Sequence, residues 1–495
     1  MNKLNSQSMI WGLLCMYILT IFTQNIYSLT LQGAVSAGVQ NNQKISQYNE
    51  RIRGKTYEEK NAIGNLAPAI SLHAGYTYMD EPLTMSLDPI RDAMISLQAR
   101  DQVQFANIQS QMKGGPAIDN PSSVMYQSVY KTAYGALDKA IPHFIDTLKE
   151  QDFPSLSVTA VQPIFTGGKI IAGIRAAHLD KEVAVSELKK VRNEVTFEIV
   201  NYYLAAVFVH DVIQVRRDVL SAMEKHQQKA AKLSEQGMIA RYHLLRADVA
   251  VSEAKRNLTK DCNNYEIACL ALRKSMNDTA VNIDKLQSLM YLPVNDSLEL
   301  FLQEAMKGQP IFEILHGKQA MVKEKIKVQV AGFMPQVAAF GKYEVFTEYL
   351  SALEPDWTVG VTATLPVFNG LKNVTSLQAA RSLEKELKYV QSGAEDDVRL
   401  WVKKAFKEMR NNEERYKLLD SDLKLAEENL RQCKSRFDNG YGTSLEVVDA
   451  QLVLEKNRIE RLTTVHDYCK SFLDLTMAGG KPEQFLTWFS TEEVQ

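Results

Sequence analysis

Little in this 495-residue chain breaks a helix. Only 14 Pro occur, and none falls between Pro163 and Pro293 or between Pro366 and Pro482. Two Pro-free stretches of that extent point to two long helical regions. Charge of one sign is also scarce: 57 Lys and Arg stand against 59 Asp and Glu, a net charge of −2. A nucleic-acid binder would show a basic excess. The five Cys include no C-x-x-C pair, which excludes a zinc ribbon and a disulfide scaffold. Beyond the N-terminus we find no run of about 18 apolar residues, which argues against a helical membrane channel. Catalytic signatures are missing as well. The eight His are scattered, and no G-x-S-x-G, P-loop or dinucleotide fingerprint occurs. The chain therefore reads as a non-enzyme with no cofactor and no metal site.

What is present begins with an export signal. Residues 1–28 place Lys3 before an apolar core from about Met9 to Phe22, and Ser28 suits the position before a cut. This reads as a signal peptide; a single anchor helix is the alternative, for which the core is short. Cys15 follows Leu14, where lipidation needs a small residue. Cys262, Cys269, Cys433 and Cys469 lie in helical pattern and read as core residues.

The chain is internally duplicated. One constant shift carries VTAVQPIFTGGK (158–169) onto VTATLPVFNGLK (361–372), Gly237 onto Gly440 and Ala247 onto Ala450. A second shift carries Pro68 onto Pro335 and Tyr76 onto Tyr343. The two shifts differ because the first copy holds an insertion, 81–153. The boundaries read as a first repeat 29–280, a second repeat 281–480 and a C-terminal tail 481–495.

Each copy carries a heptad seam. Val195, Ile199, Tyr202, Ala206, Val209, Ile213, Leu220 and Met223 mark it in the first. Val398, Val402, Ala405, Met409, Tyr416, Leu419, Leu423, Ala426, Leu430, Cys433 and Phe437 mark it in the second. After the far turn it resumes at Leu445, Val448, Leu452, Ile459, Leu462, Cys469 and Leu473. Such repeats make helices supercoil with their neighbours. A helix from about Lys169 to Gln236 would be roughly 100 Å long and needs partners along its whole length. A long bundle, a tube and a soluble antiparallel coiled coil all meet that need.

Four segments alternate with period two: 70–78, 155–160, 336–345 and 357–365. Each has one apolar and one polar face, the pattern of transmembrane β-strands, and Tyr76, Tyr78, Tyr343 and Trp357 suit an interfacial girdle. Four strands cannot close a barrel, and open edges are not tolerated in lipid. Several chains would have to share one barrel. The alternative is hairpins packed on a soluble core.

QPIFTGGK at the strand-to-helix junction and NGYGTSLEVVDAQLVL at the far turn, within this doubled pattern, resemble the TolC-like outer membrane efflux protein (outer membrane factor) family. The resemblance covers about 29–480. It implies an α+β membrane protein: a duplicated helix–β-hairpin–long helical hairpin, three copies of which make a 12-stranded β-barrel continuous with a 12-helix α-barrel. Segment 281–308 and the C-terminus would supply an equatorial belt. The implied function is a passive exit duct in the outer membrane with a periplasmic extension, part of a tripartite efflux or type I secretion system. Its partners would be two further copies, a periplasmic adaptor (membrane fusion) protein, an inner-membrane pump and outer-membrane lipid. The pump chooses the cargo, so drug, metal, dye and protein stay open. A coiled-coil scaffold without a pore is the competing reading.

The resemblance also marks site residues. Pro163 and Pro366 sit where a strand must end, and Gly167, Gly168 and Gly370 let the backbone turn into the helix; these would swing the chain from barrel to tunnel. Gly237, Met238, Ile239, Ala240, Gly440, Tyr441, Gly442 and Thr443 break two long helices into hairpins and would form the tips that the adaptor grips. Glu446 and Asp449 share a helical face just after the tip. The resemblance makes them a lumenal acidic ring at the periplasmic gate; helix-dipole stabilisation is the bland reading. Gly442 and Phe437 stand where the family's best-known pattern has an Arg and a Tyr, and His243 where it has an Asp, so the closed-state contacts are not carried over. The insertion 81–153 would lie on the outer side.

Overall fold

The computed structural model describes residues 29–278, 283, 286–351 and 353–490. The expected signal peptide lies outside the described residues, as does Cys15. Two compact units form: 61–171 with 327–374, and the remaining described residues.

The first of these holds the β-structure. Strands β1 (Ala69–Tyr78), β4 (Asp152–Phe165), β5 (Gln336–Glu344) and β6 (Trp357–Thr364) make one antiparallel sheet in the order β1-β4-β5-β6. The register aligns the alternation of all four strands. Leu72 pairs with Val158, Val158 with Tyr343, and Tyr343 with Trp357. One face is therefore apolar from edge to edge, and the other carries Ser71, His73, Thr159, Lys342, Thr358 and Thr362. Among the described residues nothing covers the apolar face: Leu72, Tyr76, Trp357, Val359 and Val361 are all exposed. Gly360 leaves room for the Phe340 ring on the polar face, where a Cβ would lie 2.8 Å from its Cζ.

Between β1 and β4 lies an element set that the sequence did not suggest. A ribbon of β2 (Leu83–Ser86) and β3 (Ile145–Lys149) leads into a helical hairpin, α3 (Asp88–Met112) and α4 (Val124–Ala140). Ile95, Ala99 and Val103 are fully buried in the hairpin. The Arg91 guanidinium, buried beside them, donates to the Asp138 carboxylate at 2.7 Å and to the carbonyls of Asp138, Ile141 and Pro142. At the foot of the hairpin, Lys149 pairs with Glu354 at 2.9 Å and lies over the rings of Phe153 and Tyr349, which stack at 5.1 Å. The insertion is thus fixed to the β5–β6 connection.

The helical unit contains α1 (Leu31–Asn41), α2 (Gln43–Gly64, whose last turn passes into the other unit), α7 (Leu298–Gly308) and α11 (Glu483–Ser490). It also holds most of α5 (Lys169–Glu235), α6 (Arg241–Met276), α8 (Pro310–Ala331), α9 (Lys372–Asp438) and α10 (Ser444–Ala478). Both α5 and α9 are 67 residues long. By composition and length α5 holds a window apolar enough to cross a bilayer, though it is no unbroken apolar run, and half of that window is buried. Its apolar side chains serve the helical core.

The seam is close to the heptad expectation, with a drift. Val195, Ile199, Ala206, Ile213 and Met223 are buried, but Tyr202 is exposed and Tyr203 is fully buried in its place. Its hydroxyl donates to the Leu29 carbonyl at 2.9 Å. In α10, Leu445 and Leu452 are exposed, whereas Val447 and Leu454 are buried. A straight helix has 3.6 residues per turn, so a strict 3.5 pattern slides off the contact face. Cys269 and Cys469 are buried; Cys262 and Cys433 are only half-buried.

Within 481–495, set apart as a tail, α11 packs into the helical core. Phe485 is fully buried, and Trp488 contacts Tyr468, Phe472 and Phe485. Just before it the chain turns at Gly480, φ +75°, whose absent Cβ would lie 2.4 Å from the Gly308 carbonyl oxygen. The Gly480 carbonyl accepts from Asn193 Nδ2 at 2.7 Å. Gly480→Ala therefore combines left-handed strain with a backbone collision. We expect it to destabilise the helical unit by roughly 2–4 kcal/mol; a thermal melt of the purified protein checks this, and an unchanged midpoint refutes it.

Candidate functional site: junctions and helical tips

The strand-to-helix junctions are built by left-handed backbone. Gly167 and Gly168 have φ of +62° and +85°, and Gly370 has +67°. The second junction repeats the first with Leu371 at φ +63° where the first has a glycine, a conformation that costs a β-carbon residue about 1 kcal/mol. A Cβ on Gly167 would lie 2.6 Å from that of Met334. On the other junction, Asn373 Nδ2 donates to the Gly332 carbonyl at 2.6 Å. The end of α8 thus buttresses both turns.

Pro163 departs from the expectation that it ends a strand. β4 continues to Phe165, and the register slips between Pro163 and Phe165. β1 begins only at Ala69, opposite Val161. Pro163 therefore sits at a bulge where β4 has one neighbour, a position at which a missing N–H is tolerated. Pro366 lies just beyond the end of β6, as expected.

The tips share one local geometry. Gly237 and Gly440 have φ of +73° and +79°. The next amide in each, Met238 or Tyr441, donates back to the carbonyl of Leu233 or Arg436 at 2.9 Å. This is the Schellman closure, which leaves Gly at the left-handed position. Gly442 sits in a tight place, because a Cβ there would lie 3.0 Å from the Phe437 nitrogen. Met238 and Tyr441 project outward, 64% and 81% exposed. Ile239 turns inward against the cluster of Ala230, Ala247, Phe437 and Val447. The restart differs: Thr443 Oγ1 caps α10 by accepting from the Glu446 amide at 3.2 Å, whereas Ala240 gives α6 no side-chain cap.

Glu446 and Asp449 stand on the first turn of α10, and the structure separates their surroundings. Asp449 is exposed. Glu446 is half-buried, with Oε2 enclosed, unbonded and 3.7 Å from Arg436 Nη1. Arg436 also donates to the Tyr441 carbonyl at 3.3 Å. Both the dipole reading and a ring of acids are compatible with this placement.

Two participants escaped the sequence reading. Arg436 is one; His226 is the other. His226 continues the α5 seam three residues after Met223, which was the available signal. Its Nε2 lies 2.8 Å from Ser444 Oγ, and its ring packs on Phe437 at 4.7 Å. Burial, reinforced by the Lys434 cation, holds its pKa below the ordinary 6.5, with Asp438 opposing. Phe437, at a position where the family pattern differs, thus serves as a wall for this histidine. The His243 ring packs against that of Tyr242, tilted, with centroids 4.0 Å apart.

A family model described as outer membrane efflux protein matches residues 146–278 and 303–481. Among solved structures, a membrane protein from Pseudomonas aeruginosa is similar at TM-score 0.69 and 14% identity, over 91% of this chain and 90% of that one. The outer membrane protein VceC from Vibrio cholerae is similar at TM-score 0.68 and 14% identity, over 91% of this chain and 96% of that one. The open-state MtrE outer membrane channel from Neisseria gonorrhoeae gives TM-score 0.66 and 14% identity, over 91% and 89%. Among curated proteins, no sequence matches this chain significantly.

The depressed His226 pKa has a consequence for acid stability. Below 6.5 the unfolded chain takes up a proton that the folded tip resists, so stability falls with pH and the loss is complete below the folded value. Proteolytic cleavage at 237–243 and 440–443 should rise between pH 7 and about pH 5. His226→Gln, which keeps a donor toward Ser444, should flatten that rise; an identical pH profile in the variant would refute the assignment.

Proposed function

Because the chain belongs to the outer membrane efflux protein family, we propose that three copies assemble into one outer-membrane exit duct of a tripartite efflux or type I secretion system. Each copy lends four strands to a 12-stranded barrel and its long helices to a 12-helix tunnel. The observation that carries this reading is the open four-stranded sheet with an apolar face exposed from edge to edge. In lipid such a face is favourable, but the free edges of β1 and β6 are not. Pairing β6 of one copy with β1 of the next removes both edges. A soluble scaffold would leave the apolar face in water.

Residues 1–28 serve as the export signal in this reading. The junctions at Pro163, Gly167, Gly168, Pro366 and Gly370 carry the chain from barrel to tunnel. The exposed Met238 and Tyr441, with the turns 237–240 and 440–443, form the surface that a periplasmic adaptor grips, and the adaptor couples the duct to an inner-membrane pump. Glu446 and Asp449 from three copies form two rings of carboxylates at the periplasmic end. Like charges so confined disfavour anions and attract cations.

Three experiments test this. The protein should fractionate with the outer membrane, require detergent and run as a heat-sensitive trimer; a soluble monomer would end the proposal. In planar bilayers, Glu446→Ala with Asp449→Ala should lower cation selectivity several-fold. Unchanged selectivity would place the acids away from the constriction. Cross-linking at Met238 or Tyr441 in cells should capture the adaptor.

A further inference from the structure

The α3 helix of the insertion has two apolar faces, and its own hairpin uses one. Arg91, Ile95, Ala99 and Val103 are buried in the hairpin. On another face Ile90, Met94, Leu97, Phe105, Ile108 and Met112 form a stripe, each half or more exposed. Their spacing, with Asp101 between, repeats every 11 residues from 90 through 101 to 112. That period keeps a stripe nearly straight along a helix and suits a helical partner with slight right-handed coiling. A stripe of this size in water marks an interaction surface.

The surroundings indicate the partner. Gln98 and Gln109 flank the stripe on one side, Gln104 and Gln111 on the other. Identical helices can approach through such flanks without like-charge repulsion. Among the described residues, Asp101 lies in the middle of the stripe and Arg100 on its flank, both exposed. Neither makes an ion pair within its own chain among the described residues. Around a three-fold axis the flanking Arg100 of one copy would offset the Asp101 of the next, which otherwise brings three like charges to the packing face. The insertion also leaves the sheet at the end opposite the one from which the long helices depart, and it recurs once per copy there.

We propose that α3 of each copy packs through this stripe on α3 of the neighbouring copies, forming a parallel three-helix cluster at the outer mouth of the barrel. The proposal rests on the trimeric reading above and adds a contact outside the membrane that ties the three mouths together.

Single cysteines in the full-length protein test it, with mild oxidation in cells and non-reducing gels. Leu97→Cys and Ile108→Cys should each give a disulfide-linked dimer at ten-fold or more above the unsubstituted protein, whose native cysteines set the background. Ser96→Cys, on the far side of α3 from the stripe, should stay at background. Intact trimers without the Leu97 and Ile108 disulfides overturn the cluster alone. Equal dimer yield from Ser96→Cys also overturns it, as does capture of a different polypeptide. Monomers in mild detergent overturn the trimeric reading and the cluster together. A charge swap gives a second readout: Arg100→Asp should lower the temperature at which trimers dissociate, and adding Asp101→Arg should restore it. Failure of the double variant to recover removes the Arg100–Asp101 pairing.

Discussion

A β-sheet in lipid must leave no edge, because nothing there replaces a missing hydrogen-bond partner. This chain supplies four strands whose apolar side chains share one face and whose two outer strands each have one neighbour. Every other feature serves or tolerates that incompleteness. The exposed apolar face is a defect in water and an asset in a bilayer. In the assembly proposed above, the unpaired edges make a single chain one third of the barrel. In that assembly, function as a duct follows from closure of the sheet.

Duplication explains how one chain delivers the parts twice. Both junctions use left-handed backbone, and both tips close with the same hydrogen bond from the residue after glycine to a carbonyl five residues back. Geometry survived where residues diverged. Leu371 holds a conformation that Gly168 holds in the other copy, and Thr443 caps a helix that Ala240 leaves uncapped. Phe437, His226 and Ser444 pack and bond at the base of one tip, while Arg436 reaches both Glu446 and the Tyr441 carbonyl. The two copies therefore present unlike surfaces on a common backbone.

Much of the fold was legible because strong local rules set it. Missing Pro marked the long helices, period-two alternation marked the strands within a few residues, and glycine marked the turns. The failures are equally physical. A heptad template chose Tyr202 where the helix buries Tyr203, since straight helices keep 3.6 residues per turn. Pro163 was read as a strand end, but a bulge beside a missing neighbour lets the strand continue. The sequence reading marked the insertion only by its bounds and assigned it no elements, because the duplicated pattern has no counterpart for it. Within the hairpin, its prolines fall at the start of α3 and between the two helices, and so leave α3 a run of 25 residues.

The sequence by itself determined the doubled order of elements, the two-faced strands and the positions of the reversals, because those depend on residue type and spacing within a few positions. Only the tertiary structure decided that all four apolar faces fall on one side. Register across strands is set by pairing between residues far apart in the chain. It also decided that Glu446 and Asp449, three apart on one helix, differ in exposure. Enclosure depends on what a distant segment lays against a side chain, and no local pattern records that.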